Sequence, residues 1–129
     1  MEGGVRFGMN IKAYFMEVNE NGVVFSGRTG VIKNTFQALQ DYMGMPVKMV
    51  HLTEKVVVIM KEDIEQNAPV NRALVKEGNI EEIFTGNLLC VRQGKSGFDS
   101  IEDEDIDVIR KYLKPVFDLD GQLIIRKEM

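Results

Sequence analysis

The 129-residue sequence predicts an α+β fold: a mainly antiparallel sheet with two principal helices packed on one face and a C-terminal hairpin. Three observations carry that reading. Runs rich in β-forming residues come in adjacent pairs joined by short turns, at Asn21-Gly22 and again at Asp120-Gly121. Two other segments repeat their apolar residues at helical spacing. Strands and helices do not alternate as βαβ units would require. The length fits a single domain over residues 1–129, and such a chain buries about two thirds of its unfolded surface without help from a metal or disulfide.

In order along the chain, Ile11, Ala13 and Phe15 alternate with Lys12, Tyr14 and Met16, the period of a half-buried strand. The Asn21-Gly22 turn folds Val23-Val24-Phe25 back on it as a hairpin. Asn34 then reads as an N-cap with Gln37 in capping-box position, and Phe36, Leu39 and Met43 give a helix from about Thr35 to Met43, stopped by Gly44 and Pro46. Val47–Leu52 and Val56–Met60 are strands, and the second, apolar on both faces, belongs in the middle of a sheet. Asn71 can cap a short helix to Lys76, closed by Gly78. Ile83–Val91 reads as one strand and Gly94-Lys95-Ser96-Gly97 as a loop. Ser100 caps a second helix with Ile106, Ile109 and Leu113 on one face and Pro115 at its end. Val116–Leu119 and Gln122–Ile125 flank Asp120-Gly121 as the final hairpin, within about residues 115–126.

Composition narrows the function classes. Net charge is −4, from 20 acidic and 16 basic residues, which argues against direct non-specific nucleic-acid binding. No apolar run approaches the roughly 18 residues of a membrane span, and the MEGGVRFG start lacks a signal-peptide core. The lone Cys90 points to a reducing, cytoplasmic setting.

Several catalytic readings fail on spacing. Gly94-Lys95-Ser96 lacks the earlier glycine of a phosphate loop, since Leu89 stands there. Around Gly121, a calcium loop would put Val116 and Lys127 at ligand positions. His51, the one histidine, has no spacing that ties it to Cys90, or to Asp99 and Ser100, as a nucleophile–base set, and one His with one Cys makes a poor zinc site. The expectation is a non-enzyme with no cofactor and no metal.

Two features remain as candidate sites. Asn71-Arg72 is either a ligand site or a helix start, with Arg72 the member left to bind. Glu102, Asp103, Glu104, Asp105 and Asp107 put five acids in six positions. A helix N-terminus favours carboxylates by roughly 0.3–1 kcal/mol each. One or two satisfy it, so the surplus forms a negative patch suited to a basic partner.

Taken together, TFQALQDYMG, PVNRAL, EIFTGNLLCV and FDSIEDEDI resemble small phage and mobile-element proteins grouped as domain of unknown function 3846. Asn71, Arg72 and Ala73 match that family's Asn-Arg-Ala turn, Gly86 its strand glycine, and Phe98, Ser100, Glu104 and Asp105 its last element, with Ile101 in place of Leu. The resemblance covers roughly residues 9–110; a single glycine at Gly44 and the tail beyond Lys114 depart from it. It carries no activity. Its setting, in phages and conjugative elements near antirestriction-type genes, implies counter-defence inside a bacterial host.

The favoured expectation is therefore an inhibitor that binds a host defence protein stoichiometrically through its acidic surface. A nucleotide sponge is the alternative, in which Asn71, Arg72, Arg28, Arg92 and Lys95 would converge on a cyclic dinucleotide or ADP-ribose-type signal. A bland accessory role is a third. A homo-oligomer is compatible with all three.

Overall fold

The structure, a computed structural model, describes residues 9–63, 66–119 and 122–125. Its elements are β1 (Asn10–Met16), β2 (Arg28–Lys33), α1 (Phe36–Met43), β3 (Val47–His51), β4 (Val56–Lys61), β5 (Val70–Lys76), β6 (Asn79–Thr85), β7 (Leu88–Gln93), β8 (Phe98–Asp99), α2 (Asp103–Tyr112), β9 (Leu113–Leu119) and β10 (Gln122–Ile125). The strands form two sheets, and every pairing between them is antiparallel. The first runs β2-β1-β7-β4-β3, with β8 paired to the end of β7, and the second runs β10-β9-β5-β6. The α+β class holds.

The first sheet is covered on both faces. Alternation splits β4 cleanly: Val56, Val58 and Met60 face one way with Tyr14, Met16, Leu88 and Cys90, and Val57 and Ile59 face the other with Ile11, Ala13, Phe15, Leu89 and Val91. Leu39 and Met43 of α1 close the second group. Ile109 of α2, Ile101, Leu113 and Phe84 of the second sheet close the first. The two helices thus lie on opposite faces of the sheet, which corrects the expectation of one shared face. A strand as apolar as VVVIM demands cover on both sides, and one layer of helices cannot supply it.

The expected helix over 71–76 is instead β5, paired with β6 on one side and β9 on the other. Gly78 is no helix cap; Glu77 (φ 53°) and Gly78 (φ 80°) form the two-residue hairpin turn between Lys76 and Asn79. Pairing on both flanks outweighs a local cap signal, which competes only weakly. The expected strand Ile83–Val91 is two strands in different sheets. The chain leaves the second sheet at Thr85, turns at Gly86 (φ 72°) and enters the first at Leu88. That positive φ suits glycine and breaks the run.

Three smaller corrections concern caps and turns. Thr35, not Asn34, caps α1, its hydroxyl accepting from Ala38 N–H at 3.1 Å. Glu102, not Ser100, is the N-cap of α2. The first hairpin exists, but its returning strand is β2, and Val24 contributes one bridge to Val18. β9 and β10 pair antiparallel with Leu119 opposite Gln122; the Asp120-Gly121 turn lies outside the described residues. Among the described residues, no helix is long and apolar enough to cross a membrane.

Candidate functional site

Asn71 and Arg72 answer first. Both are buried, at 0% and 1% exposure. The Asn71 amide donates to the carbonyls of Met16 (2.9 Å) and Gly86 (2.7 Å), and its oxygen accepts from Arg72 at 2.7 Å. Arg72 also donates to Phe25 O at 3.0 Å. The pair therefore ties β5 to the end of β1, to the β1–β2 connection and to the Gly86 turn. These are interior groups, and at 1% exposure Arg72 is not placed to meet a ligand from solvent, which corrects the expectation that it is left to bind.

The other cations of the sponge reading are placed separately. Arg28 opens β2, ion-paired to Glu17 at 3.1 Å and 4.6 Å above the Phe15 ring. Arg92 lies near the end of β7 against the start of α2. Lys95 is exposed in the loop between β7 and β8. The structure does not bring Arg72, Arg28, Arg92 and Lys95 together around one space.

The acidic helix start is a built arrangement. Asp105 is buried, and its carboxylate accepts from Arg92 at 2.7 Å and from the Glu102 N–H at 2.9 Å. The same guanidinium lies 3.3 Å from Glu102 and 3.4 Å from Glu104. Hydrogen bonding to Asp105 raises the Arg92 pKa further, so its charge is permanent. One arginine thus fixes the first turn, and three of the five acids touch it. The Glu102 and Glu104 side chains still stand 59% and 66% exposed, and Asp103 and Asp107 are exposed beside them. A cavity of about 350 Å³ opens next to these groups, lined by Thr53, Glu54 and Lys55 of the β3–β4 turn, by Val56 at the start of β4 and by Glu104, Asp105 and Val108 of α2. Residues 53–55 read in the sequence only as a turn; nothing in their spacing announced a wall for α2.

A second cluster went unseen in the sequence. Tyr42 of α1 donates to Glu17 at 2.7 Å and meets Phe15 edge-on at 5.3 Å between centroids. Burial first, then the Glu17 carboxylate, pushes the Tyr42 phenol well above its usual range.

His51 is exposed at the end of β3, its Nε2 3.2 Å from Gln93 Oε1. It stands opposite Val57, on the α1 side of the sheet, whereas the wholly buried Cys90 stands opposite Val58, on the α2 side. Ser100 accepts from Lys12 N–H at 2.9 Å. These groups form no nucleophile–base set. Among the described residues, no group of three His, Cys, Asp or Glu could hold a metal ion.

Two of the four segments behind the resemblance meet in space at the Asn71–Gly86 hydrogen bond, and the family signature for Domain of unknown function (DUF3846) matches residues 18–115. The chain belongs to that family. Compared with curated proteins and with solved structures, it matches none. Of the DUF3846 residues recognised in the sequence, buried Asn71 and Arg72 join the sheets and buried Asp105 holds Arg92, while exposed Ser100 secures the segment before α2 to β1. Glu104, also matched, stands exposed on the charged surface of α2.

Proposed function

We propose that the protein acts without catalysis, by binding a basic surface on a partner protein through the start of α2. The observation that carries this reading is the Arg92–Asp105 pair at 2.7 Å, which holds exposed Glu102 and Glu104 in one geometry beside Asp103 and Asp107. Carboxylates on a pinned helix start lose little conformational freedom on binding, and their field steers a cationic partner. The overall charge of −4 adds to that field. Family resemblance supports a counter-defence role in a bacterial host, with a defence protein as the partner. A nuclease groove built to hold phosphates is the kind of basic surface that an acidic helix end can occupy.

The test is phage plating on defence-bearing cells that express the protein or its Asp103→Asn, Glu104→Gln, Asp107→Asn variant. Protection by the wild type and its loss in a folded variant supports the reading. Equal protection by both defeats it.

A further inference from the structure

We propose that the cavity between the β3–β4 turn and α2 receives a single basic side chain, lysine or arginine, from the partner. This deepens the acidic-surface reading and rests on it. The cavity is preformed on both sides. Thr53 Oγ1 accepts from the N–H groups of Lys55 and Val56, both at 3.1 Å, and Gln93 N–H donates to Lys55 O at 2.7 Å, so the turn is fixed. The opposite wall is the first turn of α2, anchored through Asp105 to Arg92.

The lining matches such a side chain from stem to head. Half-buried Val108 offers apolar surface to the methylene stem, with buried Val56 at the floor, as long cationic side chains prefer. Glu54 and Glu104, both exposed, stand at the rim to meet the charged head. The volume of about 350 Å³ leaves room for a guanidinium with water. Asp105 is committed to Arg92 and sets the local charge without needing the guest. Lys55 on the rim offsets one carboxylate and is a donor for a backbone carbonyl of the entering segment. An anion would face Glu54, Glu104 and the remaining acids of the helix start, so the charge balance selects a cation.

The probe is Nα-acetyl-arginine amide, with the neutral citrulline analogue as control, titrated while the methyl signals of Val56 and Val108 are followed by NMR. The arginine probe is expected to shift both signals saturably in the millimolar range, whereas citrulline does not. Glu54→Gln and Glu104→Gln should each weaken binding about fivefold, and Glu20→Gln, exposed in the β1–β2 connection and outside both the lining and the acidic helix start, should leave it within about twofold. No saturation by about 100 mM, or equal shifts from citrulline, overturns the inference. Val108→Phe, checked for an unchanged melting transition, fills the cavity without altering charge. If it protects phage normally while the Asp103, Glu104, Asp107 variant does not, the anchor is wrong and the acidic-surface reading stands. If both variants protect, both fall; loss in both supports the anchor. Should Val108→Phe fail to fold, the smaller Val108→Met extends into the same space without touching the turn and is read in the same way.

Discussion

The Asn71 side chain donates to Gly86 O at 2.7 Å, so the strand that opens the second sheet is tied to the turn through which the chain leaves it. Because the same amide reaches Met16 O, one side chain closes a loop of contacts between the two sheets.

Replacing Asn71 by Ala or Leu should therefore unfold the protein at lower urea. It strands two carbonyls and removes an acceptor from buried Arg72, for a loss of roughly 3 kcal/mol. Arg72→Lys should not preserve stability, because one ammonium cannot reproduce the guanidinium's spread of donors toward Asn71 Oδ1 and Phe25 O. A urea midpoint for Arg72→Lys equal to wild type would show that charge alone suffices there.

The reach of the sequence can be judged at these same residues. Asn71 before an apolar run and Gly78 after it are sound helix cues, but they are local, and β5 is decided by neighbours that follow it in the chain. Asn34 and Ser100 failed as caps because their side chains serve distant segments, the Phe98 carbonyl and the Lys12 N–H. The both-sided apolar pattern of Val56–Met60 already required two covered faces, so the placement of the helices was legible there and was misread. The acidic helix start was visible from composition alone. Its anchoring by Arg92, ten or more positions earlier, was not, since only the β7–α2 packing brings them together.

Tyr42 should produce a distinct alkaline response. Its folded pKa is raised above the unfolded value of about 10, so the unfolded state loses its proton first as pH rises. The stability tied to the neutral phenol is complete below about pH 10 and is lost progressively above it. Tyr42→Phe should remove that part of the decline, and the difference between the two tyrosine absorbance titrations should lie above the ordinary phenol range. A difference centred near pH 10 would contradict the burial of the phenol and its contact with Glu17.

Cys90 is buried completely in β7, and burial pushes its thiol pKa up. A thiol-specific reagent should label it only as fast as the core opens, since the thiolate is the reactive form and neither it nor the reagent is accommodated in the folded state. Labelling rates should rise with urea in step with unfolding. Stoichiometric reaction within seconds in native buffer would place Cys90 at the surface.

The start of α2 separates stability from binding. Asp103, Glu104 and Asp107 are exposed, whereas Glu102 caps the helix and Asp105 accepts from Arg92. Neutralising the first three should change stability by no more than about 0.5 kcal/mol, because Arg92 keeps its buried partner and the cap remains. Removing the guanidinium by Arg92→Ala leaves the Asp105 carboxylate buried without its cation, and should lower the urea midpoint well below that of the triple variant. Once a basic partner is in hand, the triple variant should bind it with a slower association rate and with less dependence on salt, while wild-type association slows steeply as salt rises. If association is equally fast in both, and equally indifferent to salt, the acids serve the helix and not the partner. Protection that fails only in Arg92→Ala would then trace to folding, and the binding surface would have to be sought on another face of the protein.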